Sequence, residues 1–215
     1  MKPEVSKKAA DPVWVEKALF FIGIAVSLLH IYFNIFGLLP GLWQNSLHYS
    51  GFALLCALAY RSKLTLAVDI TIGLTAAASA IYLISMEDAI YARGVHLNSA
   101  EWIAGILLIL SALEFTRRTT GWIIPVLIIL ALTYVGWWGS LLDGVFKFSG
   151  LTAETILFRS IYGDDGLFGN IARISSTFVF MFILFGAFLL RSGAGDFVID
   201  LARAVAAKLL GDRVL

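Results

Sequence analysis

The chain has 215 residues, of which 60% are hydrophobic and only 14% charged, with a net charge of +1. Ordinary soluble domains run at about 45–50% apolar and about 25% charged, so a water-soluble domain is excluded. A net charge of +1 says nothing about nucleic acid, no basic run is longer than two residues, and a lone Cys56 excludes a disulfide framework. The apolar residues come in long runs rather than in alternation, which points to helices and not to a barrel. The expected fold is an all-α integral membrane protein with six transmembrane helices and two interfacial amphipathic helices.

Taken in order, residues 1–17 form a polar, lysine-containing cytoplasmic tail ending near Trp14 and Lys17. Lysines ahead of an apolar segment also mark a signal peptide. Here the segment is about 20 residues long and no small-x-small cleavage site follows, so it is read as a retained helix. The first helix is predicted over Ala18–Leu39, with Pro40-Gly41 as its break. The second spans Gln44–Tyr60, and the third Leu64–Ser85. Gly73, Ala77 and Ala80 give the third helix a small face for close helix contact. Met86–Ser99 reads as a polar link. The fourth helix covers Ala100–Phe115 and ends at Arg117-Arg118. The fifth covers Gly121–Leu142, with Pro125 near its start and Trp137-Trp138 as an aromatic belt near its end.

Asp143–Arg173 is too polar to span. Thr152 is placed to cap a short interfacial helix whose Ala153, Ile156, Leu157, Ser160 and Ile161 share a face. Gly163-Asp164-Asp165-Gly166 reads as a solvated turn rather than a cation site. Ser176–Leu190 carries no charge and reads as the sixth spanning helix, at the short end of spanning length. Ser192–Gly195 is a small-residue elbow. Beyond it, Phe197, Leu201, Val205 and Leu209 fall on one face of a surface helix, opposite Asp196, Asp200 and Arg203. Gly211 is placed to close that helix.

With the N-terminus inside, twelve of the 16 Lys and Arg residues lie on the inner side. Only Arg93, Lys147, Arg159 and Arg173 lie outside, as the positive-inside rule asks. Both termini are therefore expected to be cytoplasmic.

Candidate chemistry is sparse. Asp69 and Glu114 are intramembrane carboxylates, a class that often marks ion paths. Both fall near a predicted cytoplasmic helix end, close to Lys63 and Arg117-Arg118, and are read as ion-paired anchors. His30 and His48 raise the question of axial haem ligands. Their predicted depths match poorly, so they are read as hydrogen-bonded packing residues, and His96 as solvated. No nucleotide-binding loop, HExxH, CxxC or GxSxG motif occurs. No catalytic residue, metal ligand or cofactor is assigned.

Four stretches carry a family likeness: LLHIYFNIFG (Leu28–Gly37), QNSLHYSGFAL (Gln44–Leu54), LEFTRRTTGWIIP (Leu113–Pro125) and the long run from Gly166 to Asp212. They resemble the fused membrane subunits of tripartite ATP-independent periplasmic (TRAP) transporters, in the branch served by TAXI-type binding proteins. The resemblance implies a small-subunit-like four-helix domain over residues 18–118 and the start of a large-subunit-like domain over 119–215. It further implies sodium-coupled uptake of an organic acid or similar small solute across a bacterial plasma membrane. The implied partners are the remainder of the large subunit, an extracytoplasmic TAXI-type protein and the lipid bilayer, with no nucleic acid. In that family the substrate and sodium contacts come from a re-entrant hairpin expected beyond Leu215, so no substrate-binding residue is carried onto this chain. The rival readings are a non-transporting membrane assembly protein and a small haem- or quinone-binding membrane subunit.

Overall fold

The computed structural model describes residues 12–37, 39–62, 65–163 and 165–211, and side chains up to residue 208. The tail ahead of Pro12, Lys63, Asp164, Arg213 and the Leu209 side chain lie outside these residues. Among the described residues every regular element is helical.

Helix α1 (Val13–Ile31) begins directly after Pro12 and runs into a π-helical turn, Tyr32–Phe36. Pro40 opens α2 (Gly41–Ala59). Helix α3 (Leu66–Arg93) stops at Gly94, whose φ of 64° suits a residue without a Cβ. Helix α4 (Ser99–Thr120) starts with a reciprocal capping box, Asn98 with Glu101. Helix α5 (Ile123–Gly136) gives way to two short 3-10 turns, Trp138–Leu141 and Gly144–Phe146. Thr152 caps α6 (Ala153–Ile161) by accepting from the Thr155 amide. Helix α7 (Asn170–Ile174), a second π-helical turn (Ser175–Val179) and α8 (Phe180–Arg191) follow one another without a break. Helix α9 is Ala194–Gly211.

Among the described residues, four helical stretches are long and apolar enough to cross a membrane: Val13–Phe36, Leu66–Arg93, Ser99–Thr120 and Asn170–Arg191. They fit a multi-pass membrane protein. Two of the six expected crossings do not meet that measure. Helix α2 has 19 residues but carries Gln44, Asn45, Ser46, His48 and Ser50 in its first half. Helix α5 has 14 residues, about 21 Å, against about 30 Å of hydrocarbon.

Several boundaries differ from expectation, each for a local reason. Helix α1 starts at Val13, five residues early, because Pro12 rather than Lys17 sets the entry. Helix α3 continues through the expected link to Arg93. Its polar residues there have work: Glu87 accepts from the Trp43 indole at 2.8 Å, while Ile90 is buried. The fifth helix ends at Gly136 rather than Leu142. Gly139 packs so tightly that a Cβ there would lie 2.6 Å from the Tyr134 carbonyl. The last spanning helix starts at Asn170, because Ser176 and Thr177 return their hydroxyls to the Arg173 carbonyl and let a polar turn stay helical. Helix α9 is described as far as Gly211, the residue expected to close it.

The core is built on α2 and α3. Gly73, Ala76, Ala77 and Ala80 of α3 are all buried, and Ala53 and Ala57 of α2 lie against them. A Cβ on Gly73 would come within 2.7 Å of the Ala57 Cβ. Small residues permit this approach, which dispersion then rewards where lipid supplies no hydrophobic drive. A second cluster joins Leu83, Ile90 and Leu108 to Leu157, Ile161 and Phe168, and so seats α6 and the following loop on α3 and α4. Helix α9 packs no face on the core: Phe197, Leu201 and Val205 are each about half or more exposed.

Candidate functional site

One set of polar groups collects in a seam where α1, α2 and the α7–α8 rod meet. It begins at a backbone carbonyl. His30 Nδ1 lies 2.7 Å from the Val26 oxygen, which accepts only, so Nδ1 carries the hydrogen. In the neutral ring Nε2 is then an acceptor. His48 Nδ1, 2.8 Å away, must donate to it. That leaves His48 Nε2 to accept from the Ser175 hydroxyl at 3.1 Å. One carbonyl therefore fixes both tautomers and the direction of the whole run from Ser175 to Val26.

Beside the run lies an amide and hydroxyl cluster. Asn34 donates to the carbonyls of His30 and Ser176 at 2.9 and 3.1 Å. Gln44 donates to Ser176 Oγ at 3.3 Å, and Ser176 Oγ is 3.1 Å from Asn45 Oδ1. Asn45 donates to the carbonyls of Phe168 and Gly169 at 2.7 and 3.1 Å. His30 and Ser176 are fully buried, and Phe180 stacks on His30 with ring centres 3.9 Å apart. Both π-helical turns sit here. An i→i+5 turn frees carbonyls that a regular helix would use, and the side chains of Asn34, Ser176 and Thr177 occupy them.

His48 and Ser175 also form part of the wall of a cavity of about 580 Å³, with Ile109, Leu113, Ile128 and Leu132 on its other sides. A proton added at His48 Nε2 would turn Ser175 from donor to acceptor while leaving the bond to His30 intact.

The expectation of mismatched depths for His30 and His48 is overturned. Because α1 and its π-turn end at Phe36 and α2 begins at Gly41, His30 stands six residues from one end and His48 seven from the other (36 − 30 and 48 − 41). The two rings meet. Their facing nitrogens bond to each other at a distance that leaves no room for an iron between them.

At the opposite helix ends lies a second cluster. Asp69 is fully buried, with Arg118 Nη1 at 2.9 Å, Arg61 Nε at 3.2 Å and the Ser62 amide at 3.2 Å. Glu114 accepts from Arg117 and Arg118, each at 2.7 Å. Three guanidinium groups thus meet two carboxylates. Arg117 also lies over the Trp122 ring at 5.2 Å. Asp69 and Glu114 hold the ion pairs expected of them, with Arg61 as a partner the sequence reading did not name.

A third group clasps the other ends of the helices. Glu101, fully buried, pairs with Arg93, and Glu154 of α6 accepts from the Leu97 amide at 2.8 Å. Burial, followed by the charge of Glu101, pushes the Tyr162 phenol well above its ordinary range, so it stays a neutral donor toward the Glu101 carbonyl. His96 approaches Glu154 at 3.9 Å, from a largely exposed position.

Sequence reasoning missed Asn34, Gln44, Asn45, Ser175, Ser176 and Glu101. A usable signal existed for most of them. Gln44–Ser50 packs Gln44, Asn45, Ser46, His48 and Ser50 into about two turns of an otherwise apolar helix, and Asn98-x-x-Glu101 is a capping box in plain view. Among the described residues no group of three or more His, Cys, Asp or Glu is placed to hold a metal ion.

No family model, no curated protein and no solved structure matches this chain. The fold and composition therefore define its class alone: an all-α chain whose four long apolar helices fit a multi-pass membrane protein.

Proposed function

We propose that this chain is the N-terminal scaffold part of a TRAP-type secondary transporter permease. On this reading the complete permease takes up a small organic acid or similar solute with sodium, supplied by an extracytoplasmic TAXI-type binding protein. The chain crosses a bacterial plasma membrane six times with both termini in the cytoplasm. Helix α2 crosses with Gln44, Asn45, Ser46 and Ser50 buried against its neighbours. Helix α5 crosses with its 3-10 extension.

One observation carries the reading. The four stretches with the family likeness supply most of the seam and the Glu114, Arg117 and Arg118 side of the charged cluster, whose buried Asp69 and Arg61 lie outside them. His30 and Asn34, Gln44 to His48, and Phe168 to Ser176 meet in the seam, while Glu114, Arg117 and Arg118 join the charged cluster. The seam ties the small-subunit-like helices to the opening of the large-subunit-like part, as a fused scaffold requires. The uncovered apolar face of α9 adds support, since such a face must lie on lipid or on further protein.

Reconstitution tests the proposal. Residues 1–215 in liposomes, under a sodium gradient and with candidate organic acids, should accumulate none of them, because a scaffold has no broken helix ends to replace an ion's water. Gradient-dependent uptake by this chain alone would refute the scaffold role.

A further inference from the structure

Arg173 forms no ion pair among the described residues, and Glu87, the carboxylate that shares a smaller polar cavity with it, accepts from the Trp43 indole. Among those residues its guanidinium makes no hydrogen bond either, while its carbonyl is occupied by Ser176 and Thr177. It stands at one end of a cavity of about 690 Å³ between the π-turn of α1 and the α7–α8 rod. The lining changes character along the rod. Asn170 and Arg173 come first, with Asn34 opposite, and Phe178 and Met181 follow, with Ile35 beside them. From Arg173 to Met181 the rod rises about 12 Å. Phe178 and Ile35 are 76% and 60% exposed, so the apolar stretch is uncovered.

We propose that this groove holds one phospholipid, with its phosphodiester on Arg173 and an acyl chain along Ile35, Phe178 and Met181. Charge complementarity selects the occupant. A guanidinium meets a phosphate through paired N–H donors, and Arg serves this better than Lys. A free phosphate would use Arg173 alone and leave the apolar wall wet. A further protein helix would have to bury an unpaired cation. A lipid satisfies both ends, and Arg173 reaches the headgroup level from an apolar helix as long basic side chains do. The proposal rests only on the multi-pass membrane class, so it stands or falls separately from the transporter reading.

Native mass spectrometry of the full chain in mild detergent, titrated with phosphatidylglycerol, tests it. The wild-type chain should retain one lipid. Arg173→Gln should weaken that binding by about tenfold, the size of a lost charged hydrogen bond. Met181→Trp, which fills the groove, should also weaken it, while Arg159→Gln at another exposed arginine should not. Millimolar inorganic phosphate should leave the lipid in place. Equal affinity in wild type, Arg173→Gln and Met181→Trp would overturn the proposal, as would displacement by inorganic phosphate or the absence of any retained lipid.

Discussion

His30 and His48, eighteen residues apart, are joined by a single hydrogen bond of 2.8 Å whose direction is dictated by the Val26 carbonyl. This makes their contributions interdependent. His30→Phe removes the acceptor for His48, and His48→Leu removes the donor for His30. Each single change leaves a ring nitrogen unpaired in the seam, at a cost of about 1–3 kcal/mol. The double change leaves neither. Unfolding of the four chains in mixed micelles should give a coupling of about 0.5–3 kcal/mol. Additive losses would show that the two rings act separately.

The two carboxylates of the charged cluster should differ. Asp69 is fully buried between Arg61 and Arg118, whereas Glu114 is about a quarter exposed. Asp69→Asn strands buried positive charge and should cost about 3–5 kcal/mol. Glu114→Gln is screened by solvent and should cost about 1 kcal/mol or less. Melting temperatures in one detergent decide this, and an equal drop for both variants would contradict it.

Close approach of α2 and α3 makes a steric prediction. Gly73→Leu has no room, since even a Cβ meets Ala57 at 2.7 Å, and the helices must part. Overpacking of this kind costs about 1–3 kcal/mol, here with lost contact along the whole seam of small residues. Gly23→Leu, with nothing within 4 Å of its added Cβ, should leave stability unchanged. Thermal unfolding of the two variants gives the comparison directly.

Topology is open to chemical labelling. In a chain with Cys56 replaced by Ala, cysteines at Thr119 and Ser192 should be shielded from an impermeant thiol reagent added outside intact cells. Cysteines at Lys147 and Asp165 should react. All four positions are exposed in the fold, so reagent access reports the side of the membrane. External labelling of Ser192 would rule out six crossings.

What the sequence made legible follows a simple physical divide. Long apolar runs, Gly and Pro breaks and the Thr152 cap are local signals, and they located nearly all the helices. The anchoring of Asp69 was legible because an intramembrane carboxylate has few alternatives to pairing. Its second partner, Arg61, was not named, since pairing across a loop depends on how α2 and α3 dock. The seam was hidden for the same reason. Ser176 lies 131 residues from Asn45, and nothing local to either predicts that their side chains meet. Helix ends were misjudged where polar side chains satisfied the backbone themselves, as Ser176 and Thr177 do, so that polarity did not mean loop.

The π-turn at Ser175–Val179 also acts as a phase shifter. A turn of this kind amounts to one residue inserted in a regular helix, and one residue is about 100° of rotation. Everything beyond it, from Phe180 through the elbow to α9, therefore faces a direction set by that insertion. Deleting one residue from Ser175–Val179 would let the rod become regular and would swing Phe182, Phe185 and the arm around its axis by roughly a quarter turn. The direction in which the arm leaves the bundle is thus encoded by a single inserted residue in Ser175–Val179, inside the seam and well upstream of Ala194, where the arm begins.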